Sequence, residues 1–248
     1  MFPGIGTVVN ISTVLAGSGV GVLLGNRLAL RTRELVTDAL GLVTLLIAAT
    51  SAMAVLDGSL EDRVGSSAPM LIVLGSLLVG GVIGSLLRLE QRLEEFGGTL
   101  QRRLQSEGGS AARQRFIEGF VTASLIFCTG PLTILGSLND GLGNGADQLF
   151  LKAALDGFAA IAFAAAFGWG VAASVVTLVV VQGSLTVVGV ALGDVLPDAH
   201  LAAITATGGL LLVGVAFRLL KVRQIAVADL LPALLVAPLL VEAVARLR

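Results

Sequence analysis

The sequence predicts an all-α polytopic membrane protein of about eight helices, one or more of them broken, and three observations carry that expectation. The 248 residues are 55% hydrophobic and only 13% charged, with a mean hydropathy of +0.95, whereas a soluble domain carries about 25% charged residues. Apolar stretches of roughly 20 residues recur along the whole chain, which is the length at which a helix rising about 1.5 Å per residue crosses a hydrocarbon core of about 30 Å. Lysine and arginine, finally, collect in alternate connections, as they do where one side of the membrane is cytoplasmic.

By the length rule the helices fall near 5–25, 35–56, 69–88, 117–138, 149–167, 171–193, 200–220 and 229–246. The first has no ionisable side chain between Met1 and Arg27, so it lacks the basic region of a signal peptide and reads as a membrane helix. Its Gly17, Gly21 and Gly25 recur every fourth residue, a small-residue seam for close helix approach. In the second, Asp38 stands near Arg31 and Arg33, which fits a charge pair at the membrane edge. Residues 157–193 carry no charge. That is too long for one crossing, and Gly168-Trp169-Gly170 is the turn signal that divides it. Pro232 and Pro238 are expected to kink the last helix.

The chain is read as one integral membrane domain, 1–248, with a single sizeable polar segment at about 89–116. There Leu89, Leu93, Phe96, Leu100 and Leu104 recur at helical spacing among charges. This predicts an amphipathic helix on the membrane surface, or a solvated connector with the same pattern. Twelve of the sixteen Lys and Arg residues lie in the first loop, in this third loop, or at the end of the seventh helix. That side is therefore expected to be cytoplasmic, with both termini outside and the protein in the inner membrane.

Two internal resemblances suggest a repeat. Gly75-Ser76-Leu77-Leu78-Val79-Gly80 resembles the run from Gly208 to Gly214, in helices that run the same way. Asp38-Ala39-Leu40-Gly41 also resembles Leu155-Asp156-Gly157-Phe158, in helices that run oppositely. Parallel and inverted repeats both occur in transporters, and both stay open here.

Composition also excludes several function classes. The formal charge is −1, so no nucleic-acid partner is indicated, and one cysteine with one histidine allows neither a disulfide framework nor a Cys/His metal cluster. No cofactor motif stands out. Gly193-Asp194 with Pro232-Ala233-Leu234 is a faint echo of intramembrane aspartyl proteases, but position 191 is alanine and no second aspartate lies at matching depth. That chemistry needs two carboxylates sharing a proton, so the chain is not expected to be an enzyme.

The most informative feature is Phe127-Cys128-Thr129-Gly130-Pro131 inside the fourth helix. Pro131 lacks an N–H and leaves the Phe127 carbonyl without its helical partner. In hydrocarbon a bare carbonyl is tolerated only against protein or a wet cavity. Ser124, Cys128, Thr129 and Thr133 surround it in sequence. They either repair the kink by bonding their own helix or wall a site for a hard monovalent cation.

Asn10-Ile11-Ser12, Phe127-Cys128-Thr129-Gly130-Pro131 with Asn139-Asp140-Gly141-Leu142, and Leu231-Pro232-Ala233-Leu234, together with Lys152, Asp156 and Gln182-Gly183, resemble the bacterial membrane family catalogued as domain of unknown function 554. The resemblance runs over nearly the whole chain. Val181 stands where that family often has a tyrosine. What the resemblance implies is a multi-span fold and a transport-type role, without a substrate.

The candidate binding residues are Asn10, Ser12, Thr13, Ser124, Cys128, Thr129, Gly130, Asp156 and Gln182. Asn10, Thr129 and Gly130 are the expected ligands of a monovalent cation. Lys152 and Asp156 share a helix face four residues apart. A carboxylate in a span is a default functional candidate, and the alternative is a locked salt bridge with a snorkelling lysine. Asp140 and Asp147 read as an outer loop, either an acidic vestibule or a solvated turn. These features point to a small-cation channel or secondary transporter, Na⁺ being the simplest substrate, working in the lipid bilayer as a homodimer. The alternatives are an exporter of a small organic solute and a non-transporting membrane scaffold.

Overall fold

The computed structural model describes residues 2–25, 29–104, 109–129, 131–143, 145–192 and 197–247. Every regular element among them is helical: α1 (Ile5–Gly25), α2 (Leu30–Ala52, prolonged by a 3-10 turn over Met53–Leu56), α3 (Gly58–Val64), α4 (Ala68–Leu87), α5 (Leu89–Leu104), α6 (Ser110–Thr129), α7 (Pro131–Leu142), α8 (Asp147–Phe167), α9 (Gly170–Ala173), α10 (Val175–Leu192), α11 (Asp198–Leu219), α12 (Val227–Leu230) and α13 (Ala233–Leu247). Seven stretches among the described residues are long and apolar enough to cross a membrane, and α6 with α7 forms an eighth that bends by 75°. The protein is an all-α, multi-pass membrane protein. Large apolar side chains such as Leu46, Leu71, Leu78 and Leu86 are exposed along α2 and α4, as expected of helices whose outer faces meet lipid rather than water.

Where the expected spans and the helices differ, local chemistry explains it. The fourth span, read near 117–138 with the Gly-Pro break inside it, starts earlier, at Ser110, and the chain turns at that break into α7 as expected, because Pro131 cannot continue the ladder. Asp140, expected in an outer loop, lies on α7 and is 3% exposed. The uncharged run divides at Gly168, whose φ of +79° ends α8 while its N–H bonds the Ala164 carbonyl at 2.8 Å. A side chain there would be strained.

The chain folds as two compact units. The first holds residues 1–40, 93–128 and 132–194, the second 41–92, 129–131 and 195–248. In the first, the broadest helix contact joins α1 to α8. A Cβ on Gly17, Gly21 or Gly25 would run into the carbonyl oxygens of Gly157, Ile161 and Ala165 respectively. The glycine seam is thus a true backbone-to-backbone contact. The two helices run parallel, since Gly6 lies against Leu149 and Gly25 against Ala165.

That direction decides the status of the bent pair. With α2 and α4 each crossing once, α8 can run parallel to α1 only if α6 and α7 together also cross. A re-entrant pair would leave α8 antiparallel to α1.

In the second unit, α4 packs on α12 and α13, with Gly80 and Gly84 placed against the backbones of Ala233 and Asp229. Leu60, Val64 and Ile72 meet Ala203, Ala237 and Val241 in its core. Glu90 ties this unit at one end by pairing with Arg218 and accepting the Ala228 N–H at 2.8 Å, while its own N–H donates to Asp229 at 2.8 Å. Elsewhere in the unit, Glu242 accepts from Arg63 at 3.1 Å and Arg246 at 2.9 Å, with His200 3.9 Å away.

Two outcomes follow from the first unit. Reporter domains fused after Leu104 and after Gly145 should report opposite sides of the membrane, and the same side for both would make the bent pair re-entrant. Gly21→Val should lower stability by about 1–3 kcal/mol through overpacking. Denaturant titration of the purified protein reads this, with Gly19→Val, which meets open space, as the neutral control.

Candidate functional site

The first unit gathers its polar groups where α1, α6, α7, α8 and α10 approach one another. Helix α1 turns Asn10 inward because Gly6, Thr7, Asn10, Val14 and Gly17 fall on its buried stripe, one helical repeat apart. On α8 the stripe carries Leu149, Lys152, Ala153, Asp156 and Ala160. Asn10 is fully buried, Lys152 is 4% exposed and Asp156 is 9% exposed. A single carboxylate oxygen of Asp156, Oδ2, accepts from both partners: from Asn10 Nδ2 at 3.0 Å and from Lys152 Nζ in a close ion pair. An ionised carboxylate is acceptor-only, so the Asn10 amide must turn its NH₂ toward it. The Asn10 Oδ1 is left fully buried without a hydrogen-bond partner.

The surroundings of this triad are partly aromatic. Lys152 Nζ stands 6.0 Å from the Phe127 ring centroid, at the outer limit of a cation–π contact. Phe127 is fully buried and meets Phe163 edge-on at 6.2 Å between centroids. The carbonyl that Pro131 frees on Phe127 accepts from Thr133 Oγ1 at 3.0 Å. The break therefore carries its own internal repair: a hydroxyl from the first turn of α7 replaces the missing N–H, which satisfies the carbonyl in a place where water is scarce.

The remaining sequence candidates divide. Ser124 lies 2.7 Å from the Thr177 hydroxyl of α10 and is buried, and Cys128 is a half-buried free thiol near the end of α6. Thr13 bonds the Asn10 carbonyl at 3.0 Å and packs on Gly157. Ser12 is exposed on the opposite face and bonds the Val8 carbonyl at 2.9 Å, so it does not join the triad. Thr129 closes α6, and Gly130 lies outside the described residues.

Gln182 is fully buried, with neither end of its amide partnered. Helix α10 meets α6 at Thr177 and meets α7 at Thr186 and Gly189, which lie against Gly141 and Leu138. Along α10, Gln182 stands between those two meeting points. Ser137 Oγ and Thr186 Oγ1 are likewise buried without partners.

Sequence reasoning gave Asp140 no place in the packed interior, yet its Oδ2 accepts the Gly6 N–H at 3.0 Å. A carboxylate at a helix N-terminus satisfies an orphan donor and complements the positive end of the helix. A clue was present in the spacing: Thr133, Ser137 and Asp140 lie three and four residues apart, on one face of α7. Among the described residues no three His, Cys, Asp or Glu side chains cluster as a metal centre would require.

The sequence profile of the family described as "Protein of unknown function (DUF554)" matches residues 5–242. The chain belongs to that family. Among its relatives is a Bacillus subtilis (strain 168) protein named Uncharacterized membrane protein YdfK, 26% identical over 236 residues that make up 95% of each chain. Another is the Escherichia coli (strain K12) protein named Uncharacterized protein YqgA, 28% identical over 233 residues, 94% of each. No solved structure matches the chain. The triad and the Gly-Pro bend thus lie within the segment that defines the family.

The Thr133 repair is open to measurement. Thr133→Val should strand the Phe127 carbonyl and lower stability by about 1–3 kcal/mol, whereas Thr133→Ser should hold close to wild type. Equal unfolding midpoints for all three proteins would mean that another group satisfies the carbonyl.

Proposed function

We propose that the protein is a membrane transporter for a small monovalent cation, Na⁺ being the simplest candidate, and that Asp156 and Asn10 form its binding site. The observation that carries this reading is the unpartnered Oδ1 of Asn10, fully buried beside a carboxylate whose bonds to Asn10 and Lys152 both fall on Oδ2. Buried polar oxygens in a lipid-spanning bundle are expensive to leave bare. An amide oxygen with a carboxylate oxygen is the hard donor set that such a cation takes. Gln182, Thr186 and Ser137 offer further unpartnered groups inside the same unit.

Lys152 supplies the device that lets a cation leave. A carboxylate stripped of its counter-charge inside the membrane is costly. In this reading the Lys152 ammonium occupies Asp156 when the substrate is absent, and a bound cation displaces it toward the Phe127 ring. Exchanging one positive charge for another keeps Asp156 neutralised at every stage. The cation then need not overcome a fully unpaired carboxylate on release. The protein works in the inner membrane as a homodimer with its arginine-rich loops in the cytoplasm, and it performs no chemical reaction on its substrate.

A second reading, a non-transporting scaffold, is favoured by the closed Lys152–Asp156 pair itself, which fits a static salt bridge equally well. Sodium uptake into proteoliposomes separates the two. Asp156→Asn and Asn10→Ala should each reduce uptake by about tenfold or more, the kinetic equivalent of about 1.4 kcal/mol. Lys152→Gln should bind Na⁺ more tightly yet turn over more slowly. Wild-type uptake no faster than in protein-free vesicles, or unaltered uptake in correctly folded Asp156→Asn, would leave the scaffold.

A further inference from the structure

We propose that Asp140 is a second carboxylate of the cation site, and that the first unit takes up one monovalent cation to balance the one formal charge its interior leaves uncompensated. The proposal rests on the reading of Asp156 and Asn10 as a cation site and extends that site along α1. Among the described residues of this unit, the buried charged side chains are Asp140, Lys152 and Asp156. Lys152 is already committed to Asp156. Two carboxylates against one ammonium leave a single negative charge in a membrane interior, where solvation is poor.

Asp140 has no counter-ion of its own. It is 3% exposed, and its carboxylate accepts one hydrogen bond, from the Gly6 N–H at 3.0 Å. No Lys, Arg or His side chain among the described residues pairs with it. The start of α1 presents it with about half a unit of positive charge, less than a carboxylate carries. A buried charge needs a partner or a bound ion, and here the protein supplies only part of one.

One helix holds both carboxylates. Gly6 and Asn10 lie four residues apart on the same buried stripe of α1, about 6 Å along its axis. Gly6 binds Asp140 through its N–H, and Asn10 binds Asp156 through Nδ2. Leu149 lies against both Gly6 and Gly136, which brings α1, α7 and α8 together at the level of Asp140. Neutral oxygens are present as well. The Oδ1 of Asn10 is fully buried without a partner, and so is the Oγ of Ser137, three residues before Asp140 on the same face of α7. Carboxylate, amide and hydroxyl oxygens are the ligand types of a hard cation. Because the two carboxylates share one uncompensated charge, they take one cation between them rather than one each, and Lys152 sets that number.

Binding of radiolabelled Na⁺ to the full-length protein in detergent, read as ions per chain by equilibrium dialysis, tests the count. Wild type should bind one. Asp140→Asn removes the charge but keeps an oxygen for the Gly6 N–H, so it should stay folded and lose affinity by about tenfold or more, the equivalent of about 1.4 kcal/mol. Lys152→Gln leaves two carboxylates uncompensated with Asp140 intact, so it should bind two Na⁺ per chain. Combining Lys152→Gln with Asp140→Asn returns the uncompensated charge to one, and should restore the binding that Asp140→Asn alone loses.

The proposal is overturned if folded Asp140→Asn binds Na⁺ as wild type does, which would leave Asp140 only as the cap of α1. It is overturned equally if Lys152→Gln still binds one ion, or if the double variant binds no better than Asp140→Asn. Failure of the underlying site looks different. Folded wild type that binds no Na⁺, or Asp156→Asn that binds as well as wild type, overturns both, whereas loss in Asp156→Asn with undiminished binding in Asp140→Asn removes Asp140 alone.

Discussion

A carboxylate placed inside a lipid-spanning bundle has to be neutralised by the protein itself, and Asp156 is the point on which the first unit turns. Its Oδ2 joins α8 to α1 through Asn10 and to its own helix through Lys152. Two parallel helices already held together by glycines are thereby pinned in register by a polar contact. In the membrane, dispersion and close backbone approach bring helices together, because lipid is as apolar as their side chains. A seam of small residues alone allows sliding. The amide-to-carboxylate bond does not, since a slip of one turn would strand the buried Asn10 amide and take a donor from Asp156.

The same demand for satisfied polar groups explains the bent helix. Breaking a helix within hydrocarbon is costly unless the exposed backbone is met, and Thr133 meets it from the first turn after the proline. The bend can therefore turn the chain by 75° without leaving a bare carbonyl. It also brings Asp140 to the start of α1 and sets Gln182 between the two contacts that α10 makes with α6 and α7. Among the buried side chains described in this unit, Asn10, Ser137, Gln182 and Thr186 keep unpartnered polar atoms.

The second unit shows how the same economy works without a polar centre. Its core is aliphatic, built on Leu60, Ile72, Ala203 and Val241, and its charges are gathered in compact groups. Glu90 is satisfied by a guanidinium and a backbone N–H together, the arrangement in which a partly buried ion pair is best tolerated. Small residues again set the closeness of approach, at Gly80 and Gly84.

Much of this architecture was legible in the residue order. Spans follow from apolar length, the division at Gly168 from its neighbours Trp169 and Gly170, and the seam of Gly17, Gly21 and Gly25 from its four-residue spacing, because each depends on local composition or helical period. The pairing of Lys152 with Asp156 was readable too, since it lies within one helix. What only the tertiary structure decided is which distant groups meet. Asn10 reaches Asp156 across 146 residues and Asp140 reaches Gly6 across 134, whereas Ser12, two positions from Asn10, faces away. A helical repeat of 3.6 residues turns neighbours in sequence to opposite faces, and no rule of spacing says which face another helix will cover. The sequence determined that the fourth span must break at Pro131. The packing decided that Thr133 would heal the break, and that the open polar valences described in the first unit would fall on α1, α7 and α10.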